Sequence, residues 1–217
     1  MNALIPNRFL FDIEFPLAYR AVAPRIDGDT DKWTEAELLP QWGELDEQPE
    51  FAAVWACWNE RGLFVACKVE NKRKPLRCEP KSFWTSDHLR LCTDTRDART
   101  NKRATRFCQQ FYFLPTGGGK SKDQPVAGST PIRQARENAP PVSAGIEVAS
   151  IVARTGYSLE AHIPADALHG FDPAEHPRLG FYYMLEDTEH GQQYLTIGDD
   201  LYWYVDPSTW ATAVLRK

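Results

Sequence analysis

Apolar and polar positions alternate along two neighbouring segments, residues 53–58 and 63–69, which are joined by a four-residue stretch ending in Gly62. If Trp58 lies opposite Leu63, one side of both segments is apolar throughout, because successive side chains of a strand point to opposite faces. A face of that composition packs on a core. The pattern therefore predicts a β-hairpin with a glycine-containing loop.

Seven further segments have the character of strands and are separated by stretches with turn residues: residues 88–93, 107–114, 147–154, 157–163, 179–185, 193–197 and 209–215. Two stretches have helical character, residues 31–38 and residues 165–168, the latter after Pro164, which suits the first turn of a helix. Many short strands with few helices predict an all-β fold, an antiparallel β-sandwich with one or two short helical turns.

The chain has 217 residues, a length at which an all-β sandwich is still one domain. We therefore expect a single domain over residues 1–217. Residues 1–24 are expected to form an N-terminal extension or a strand. Residues 117–144 are rich in Gly, Pro, Ser and charge, so they are predicted to form a long flexible loop.

Charge and composition narrow the range of partners. The net charge is −5 and the pI is near 5.6, which disfavours nucleic acid, because phosphate backbones are bound by clustered Lys and Arg. No window approaches the ~20 apolar residues of a membrane helix, and the N-terminus lacks the apolar stretch of an export signal. We therefore expect a cytoplasmic protein, exported only if a leader has been removed. The five cysteines favour buried free thiols.

Metal and catalytic motifs are incomplete. Asp27, Asp29 and Asp31 alternate as at the start of a calcium loop, but the terminal glutamate of such a loop is missing. We expect these carboxylates to cap a turn, so that structural calcium is only an alternative and no cofactor is predicted. Adjacent carboxylates such as Glu186 and Asp187 point to opposite faces of a strand. No catalytic site is assembled, and the sequence predicts a protein that is not an enzyme.

Aromatic residues in loops carry the strongest functional signal. The chain has seven Trp, eight Tyr and eleven Phe, more than one core needs. Trp84 lies just before a predicted strand, and the Tyr-Trp-Tyr stretch at 202–204 lies between Asp199-Asp200 and Asp206-Pro207. A ring face on a loop covers the apolar C–H groups of a sugar while polar neighbours bind its hydroxyls. The alternative is that these rings cover the open ends of the sandwich.

The order of several motifs resembles that of family 9 carbohydrate-binding modules and their DOMON-like relatives. Residues 26–33 resemble the opening I-D-G-x-x-D-x-x-W, with one residue fewer before Trp33, and residues 58–66 resemble the hairpin W-D-x-x-x-L-Y-V-A. Residues 84–94 resemble W-x-x-D-x-V-E-[IL]-x-x-D, and residues 157–164 are similar to W-x-x-E-x-x-I-P. Residues 180–181 and the ending 206–215 complete the series, which covers nearly the whole chain.

The resemblance implies a sandwich of antiparallel sheets that holds a mono- or oligosaccharide end between two tryptophans. Carried over, Trp84 is the first platform and Trp203 the candidate for the second, with Asp87, Arg90 and Gln110 as polar contacts. Gln110 is included only as an amide on the following strand. The sequence departs from the motif at Arg90, which stands where the family has a glutamate. A guanidinium only donates hydrogen bonds, so an acidic sugar suits this position better than a neutral one.

Two alternatives remain at this level. In the first, the chain is a structural or protein-interaction domain that keeps the fold and has lost the sugar site, which makes a protein its partner. In the second, it resembles haem-binding DOMON-like domains, with Met184 and either His88 or His162 as ligands. A lone methionine on a strand is more often a core residue.

Overall fold

Eleven β-strands form most of the regular structure in the computed structural model, which describes residues 12–48, 50–142 and 145–217. The strands are β1 Glu14–Tyr19, β2 Ala52–Asn59, β3 Gly62–Val69, β4 His88–Asp94, β5 Cys108–Gly118, β6 Gln124–Thr130, β7 Glu147–Ala153, β8 Gly156–Pro164, β9 Arg178–Asp187, β10 Gly191–Tyr194 and β11 Ala211–Leu215. Short 3-10 turns lie at Gly43–Asp46, Pro80–Thr85, Ala165–Ala167, Asp199–Leu201 and Pro207–Thr209.

The strands form two layers that share β1. One layer has the order β6-β5-β4-β9-β11, with β10 paired to β9, and the other has the order β2-β3-β8-β7. Residues Glu14–Leu17 of β1 pair with β11, and Ala18 and Tyr19 pair with β2. At the far ends of the two layers β6 lies against β7, so the sandwich approaches a barrel. The predicted all-β class is confirmed.

The strand directions differ from the prediction at one strand. β1 runs parallel to both β11 and β2, whereas every other pair of strands in the described part of the chain is antiparallel. The sheet is therefore mixed. Hydrophobic periodicity shows which segments are strands and not which segments pair, so it could not reveal that β1 lies beside β11.

The first predicted hairpin is confirmed in its register. Trp58 lies opposite Leu63, and the apolar face of β2 and β3 belongs to the main core between the two layers. The opposite face of the hairpin carries Cys57 and Phe64, which pack in a second, smaller cluster under Trp33. This strand pair is covered on both sides, which explains why its outer face is also largely apolar.

The prediction of a loop over residues 117–144 is wrong in its first half. β5 continues to Gly118, and Gln124–Thr130 forms β6, which pairs with β5 from Gln110 opposite Thr130 to Gly118 opposite Gln124. β6 is an edge strand and most of its residues are half-buried. It therefore lacks the apolar alternation that marks a strand in a sequence.

Two smaller predictions have different outcomes. The turn after Pro164 is confirmed, as the 3-10 turn Ala165–Ala167. Residues 31–38 form successive turns and no helix, and Leu38 makes an isolated bridge to Trp55. Of the N-terminal segment 1–24, residues 14–19 form β1, and residues 1–11 lie outside the described residues.

The cysteines are free, and Cys57, Cys67, Cys92 and Cys108 are buried. Burial raises the pKa of each of these four thiols to about 12, so they are inert at neutral pH. The described residues include no helix long and apolar enough to cross a membrane.

Candidate functional site

A cleft of about 420 Å³ opens on the outer face of the layer that contains β4, β5 and β9. Alternation places Arg90 of β4 between Tyr112 of β5 and Met184 of β9, which are its neighbours across the sheet. The turn Pro80–Thr85, the segment after β6 and the loop at 199–204 form the walls. The lining residues are Phe83, Trp84, Arg90, Gln110, Thr130, Pro131, Arg133, Met184, Glu186, Asp199 and Tyr204.

Trp84 projects from one wall with 57% of its surface exposed. Its neighbour Phe83 is buried and stacks on Tyr112, with ring centroids 4.0 Å apart. The ring of Trp84 meets the ring of Phe83 edge to face, with centroids 5.4 Å apart. The Ser86 hydroxyl accepts the Glu79 backbone N–H, and the Ser86 backbone N–H is donated to Phe83 O, which closes the turn. The turn therefore holds an exposed indole in a fixed place at the mouth of the cleft.

Arg90 forms part of the floor and is only 9% exposed. Its guanidinium carbon lies 4.9 Å from the ring centroid of Phe83 and 5.2 Å from that of Trp203, so the cation is held between two π faces. Burial lowers the pKa of Arg90 from its usual value, but an arginine stays charged in a protein.

His88 fixes the direction of the guanidinium. Its Nδ1 lies 2.7 Å from Ser86 O, and its Nε2 accepts the Arg90 Nε proton at 3.0 Å. Nδ1 must then carry the ring proton and donate it, which makes His88 a neutral imidazole of defined tautomer. Burial, with the positive charge of Arg90, lowers the pKa of His88 to about 3.

Two carboxylates line the cleft near Arg90. Gln192 Nε2 donates to Glu186 Oε2 at 2.7 Å and to Asp199 Oδ2 at 2.8 Å. The other oxygen of Asp199 accepts the Trp203 Nε1 proton at 2.9 Å. Burial raises the pKa of Glu186. The cleft therefore offers oxygen acceptors as well as the guanidinium donor.

Residues 26–217 match the family model described as carbohydrate family 9 binding domain-like. The chain belongs to this family. Two solved structures of a family 9 carbohydrate-binding module from Caldicellulosiruptor kristjanssonii have a similar fold. The complex with cellotriose is 16% identical with a TM-score of 0.60, covering 94% of this chain and 93% of that one.

The complex with glucose is 15% identical with a TM-score of 0.61, covering 94% of this chain and 95% of that one. At such identities the likeness shows the fold alone. No curated protein sequence matches the chain significantly.

In this family member three of the five predicted ligand contacts lie together at the cleft. These are Trp84, Arg90 and Gln110. Gln110 is 5% exposed, and its Nε2 is 3.5 Å from Cys92 Sγ. Binding by these residues stays a prediction, but their placement in one cleft is a property of the fold.

The other two predicted contacts are placed elsewhere, which corrects the expectation for both. Trp203 is fully buried and stacks on Tyr182 at 4.7 Å, and its N–H is bonded to Asp199, so it has no free face for a ligand. Asp87 is also fully buried, and its carboxylate accepts from the backbone N–H groups of Arg77 and Thr188. Trp203 supports Arg90 from below, and Asp87 fixes the loops.

Tyr204 is the aromatic residue of the late loop that lines the cleft, and it packs edge to face on Trp203 at 5.6 Å. Its neighbour Trp203 was predicted instead, because the family resemblance implies a second tryptophan in this loop. Asp199, Glu186 and Arg133 were also missed as members of one site. The acidic pairs at 186–187 and 199–200 were noticed, but nothing local indicated that Glu186 and Asp199 share a bridging amide.

The geometry of the candidate haem ligands fits no haem. Both ring nitrogens of His88 are engaged by Ser86 and Arg90. His162 belongs to the other layer, where it stacks on Phe64 at 4.4 Å with its Nε2 3.1 Å from Arg61 O. Met184 is buried in the floor of the cleft.

The acidic segment 27–31 is organised around an internal cation. Lys32 Nζ lies 2.5 Å from Asp27 Oδ1, 2.6 Å from Asp29 O and 2.9 Å from Glu160 Oε2. Glu160 is fully buried and also accepts from the Gly28 N–H and the Trp33 indole. The described residues include no group of three or more His, Cys, Asp or Glu side chains placed to hold a metal ion.

Proposed function

We propose that the protein is a non-catalytic carbohydrate-binding module that holds the end of a mono- or oligosaccharide in the cleft beside Trp84. The observation that carries the proposal is an exposed indole fixed over a floor of polar side chains. An aromatic face covers the axial C–H groups of a pyranose, and acceptors and donors around it bind the equatorial hydroxyls.

The polar groups of the cleft suit hydroxyl recognition. Glu186 and Asp199 are acceptors, and Arg90 and Gln110 are donors, so the ring of a sugar would meet both kinds of partner. Tyr204 supplies a second aromatic wall in the place expected for Trp203. Family membership supports the same class of ligand, since the similar structures contain cellotriose and glucose.

A binding role without chemistry is favoured by the state of the two carboxylates. Both oxygens of Asp199 accept hydrogen bonds, from Trp203 and Gln192, and the same Gln192 amide occupies one oxygen of Glu186. A glycosidase needs one carboxyl group free to donate a proton and another free to attack or to activate water. We expect no release of sugar from any glycoside that binds.

Isothermal titration with a panel of neutral and acidic mono- and oligosaccharides tests the proposal. Trp84→Ala should abolish binding, because it removes the stacking face, and Trp84→Phe should retain part of it. Ile151→Ala is a matched control, since Ile151 is 50% exposed on β7 of the other layer and should leave binding unchanged.

No binding across the panel by the wild-type protein would contradict the proposal. A structural or protein-interaction domain that has lost the sugar site would then be the better account. Equal loss of binding in Trp84→Ala and Ile151→Ala would also contradict it, because it would separate the ligand from the cleft.

A further inference from the structure

Arg90 is a buried, charged residue of the cleft that makes no direct ion pair. None of the ion pairs among the described side chains includes it. Arg90 Nε donates a hydrogen bond to Nε2 of His88, which is a neutral imidazole. Arg90 as a residue is thus 9% exposed, positively charged and part of the lining of an open cleft.

The neighbouring groups form no direct ion pair and no bidentate hydrogen bond with the guanidinium. Phe83 and Trp203 face the guanidinium with their rings, which stabilise a cation but accept no bidentate hydrogen bond. The carboxylates of Glu186 and Asp199 share the amide of Gln192 and act on the charge of Arg90 at longer range, without a direct ion pair. A buried guanidinium is costly when its terminal N–H groups have no direct partner, so these N–H groups are available to a ligand from solution.

The shape of the Arg90 guanidinium indicates which chemical group of a ligand it would bind. With Nε held by His88, the two terminal nitrogens of Arg90 present a planar set of N–H donors. That fork matches the two oxygens of a carboxylate, whereas a single hydroxyl can use only part of it. Arg133, exposed on the rim of the same cleft, adds a second positive charge along the approach.

We propose that the ligand is a sugar bearing a carboxylate, a uronic acid at the end of a saccharide, with its carboxylate on Arg90 and its ring against Trp84. This inference rests on the proposed function, because it names the class of sugar for the same cleft. Glu186 and Asp199 then accept from the ring hydroxyls, so that one anionic group and several neutral ones each find a partner. The two cleft carboxylates also disfavour a ligand with many negative charges.

The test compares three ligands that differ only in the group attached to one ring carbon. Methyl glucuronide carries a carboxylate where methyl glucoside carries a hydroxymethyl group, and the methyl ester of the glucuronide restores neutrality without changing the protein. We expect the wild-type protein to bind the glucuronide at least about tenfold more tightly than either neutral ligand, as a charge-assisted bidentate contact requires.

Variants of Arg90 test whether this residue causes the preference for the glucuronide. Arg90→Gln should bring the ratio of the two affinities close to one, with a much larger loss of affinity for the glucuronide than for the glucoside. Arg90→Lys keeps the charge and loses the fork, so it should retain only part of the preference. Arg25→Gln, which removes a guanidinium 86% exposed and outside the cleft lining, should leave the ratio unchanged.

The outcomes separate this inference from the function on which it rests. Equal wild-type affinity for the glucuronide and the glucoside overturns the inference and leaves carbohydrate binding standing. A preference that survives in folded Arg90→Gln also overturns it. Failure of the wild-type protein to bind any of the three ligands, or any other saccharide, overturns both.

Discussion

At the residue scale, Arg90 and His88 act as a unit on one face of β4. The histidine is neutral because it is buried beside a permanent cation, and its neutral form is the one that can accept the Arg90 Nε proton. Protonation of the imidazole would replace that hydrogen bond with repulsion between two cations. The position of the guanidinium therefore depends on the protonation state of its neighbour.

This pair gives the protein a defined response to acid. The pKa of His88 is about 3 in the folded protein and near 6.5 in the unfolded chain. Between these values the unfolded chain binds more protons, so stability falls as the pH drops from 6.5 towards 3, by up to about 1.4 kcal/mol per pH unit. Chemical denaturation at several pH values between 3 and 6.5 should show that the unfolding free energy depends less steeply on pH in His88→Gln than in the wild-type protein. An unchanged slope would contradict the assignment of a buried neutral imidazole.

Trp84 and Trp203 should respond to substitution in opposite ways. Trp203→Ala removes a fully buried indole and is expected to cost ~3–5 kcal/mol of unfolding free energy. Trp84→Ala removes an exposed ring and should cost less than ~1 kcal/mol. Urea denaturation of both variants checks the difference. A large loss of stability in Trp84→Ala would mean that the ring is a structural cover, as the alternative interpretation of the loop aromatics holds.

At the element scale, the turn at 27–32 is held by Lys32 in the place where the sequence suggested calcium. Gly28 has a φ of +87°, and a Cβ there would lie 2.8 Å from the backbone of Ser150, so the close approach of the turn to β7 requires glycine. Glu160 of β8 accepts from the backbone of this turn and from Trp33. One buried carboxylate thereby joins two motifs far apart in the chain.

Removal of that ammonium should destabilise the sandwich. Lys32→Met leaves Glu160 buried without its cation, which is expected to cost about 3 kcal/mol. The double variant Lys32→Met/Glu160→Gln should recover part of the loss, because no uncompensated charge remains. Thermal unfolding of the three proteins with and without added calcium is the measurement. A wild-type midpoint that rises with calcium would contradict a site closed by lysine.

Some strands and strand pairings could be predicted from the sequence and others could not. The β2–β3 hairpin was predicted to the register because its apolar face alternates cleanly and its turn is short. β6 was missed because an edge strand half-exposed to water carries no such pattern. The parallel pairing of β1 with β11 joins the two ends of the chain, and no local signal encodes a contact between segments so far apart.

Two of the three predicted residues that line the candidate site depend on local features, and Gln110 was chosen only as an amide on the following strand. Trp84 and Arg90 lie within one motif, so their proximity is set by a turn and the strand that follows it. Tyr204, Glu186 and Asp199 reach the cleft from other elements, and their convergence follows from strand pairing across the layer. Trp203 was misplaced because residue type alone does not tell which ring of a Tyr-Trp-Tyr stretch turns inward.

At the scale of the whole molecule, the hydrophobic core and the candidate binding cleft lie in different parts of the sandwich. The core between the layers is apolar and continuous, and the cleft occupies the outer face of one layer with loops from three parts of the chain around it. Loops carried by a rigid sheet can change their side chains without loss of the fold. An arginine at position 90, in place of the glutamate that the family resemblance implies, can therefore be accommodated without a change of architecture.

The central claim is that a saccharide binds in the cleft against Trp84. The most direct test is the nuclear magnetic resonance spectrum of the seven indole N–H groups during titration with a saccharide that carries a uronic acid end. The account predicts that the Trp84 signal shifts most and that indoles of the opposite layer, such as Trp58, stay unchanged. Saturating saccharide without a shift at Trp84, or with the largest shift at an indole outside the cleft, would contradict it.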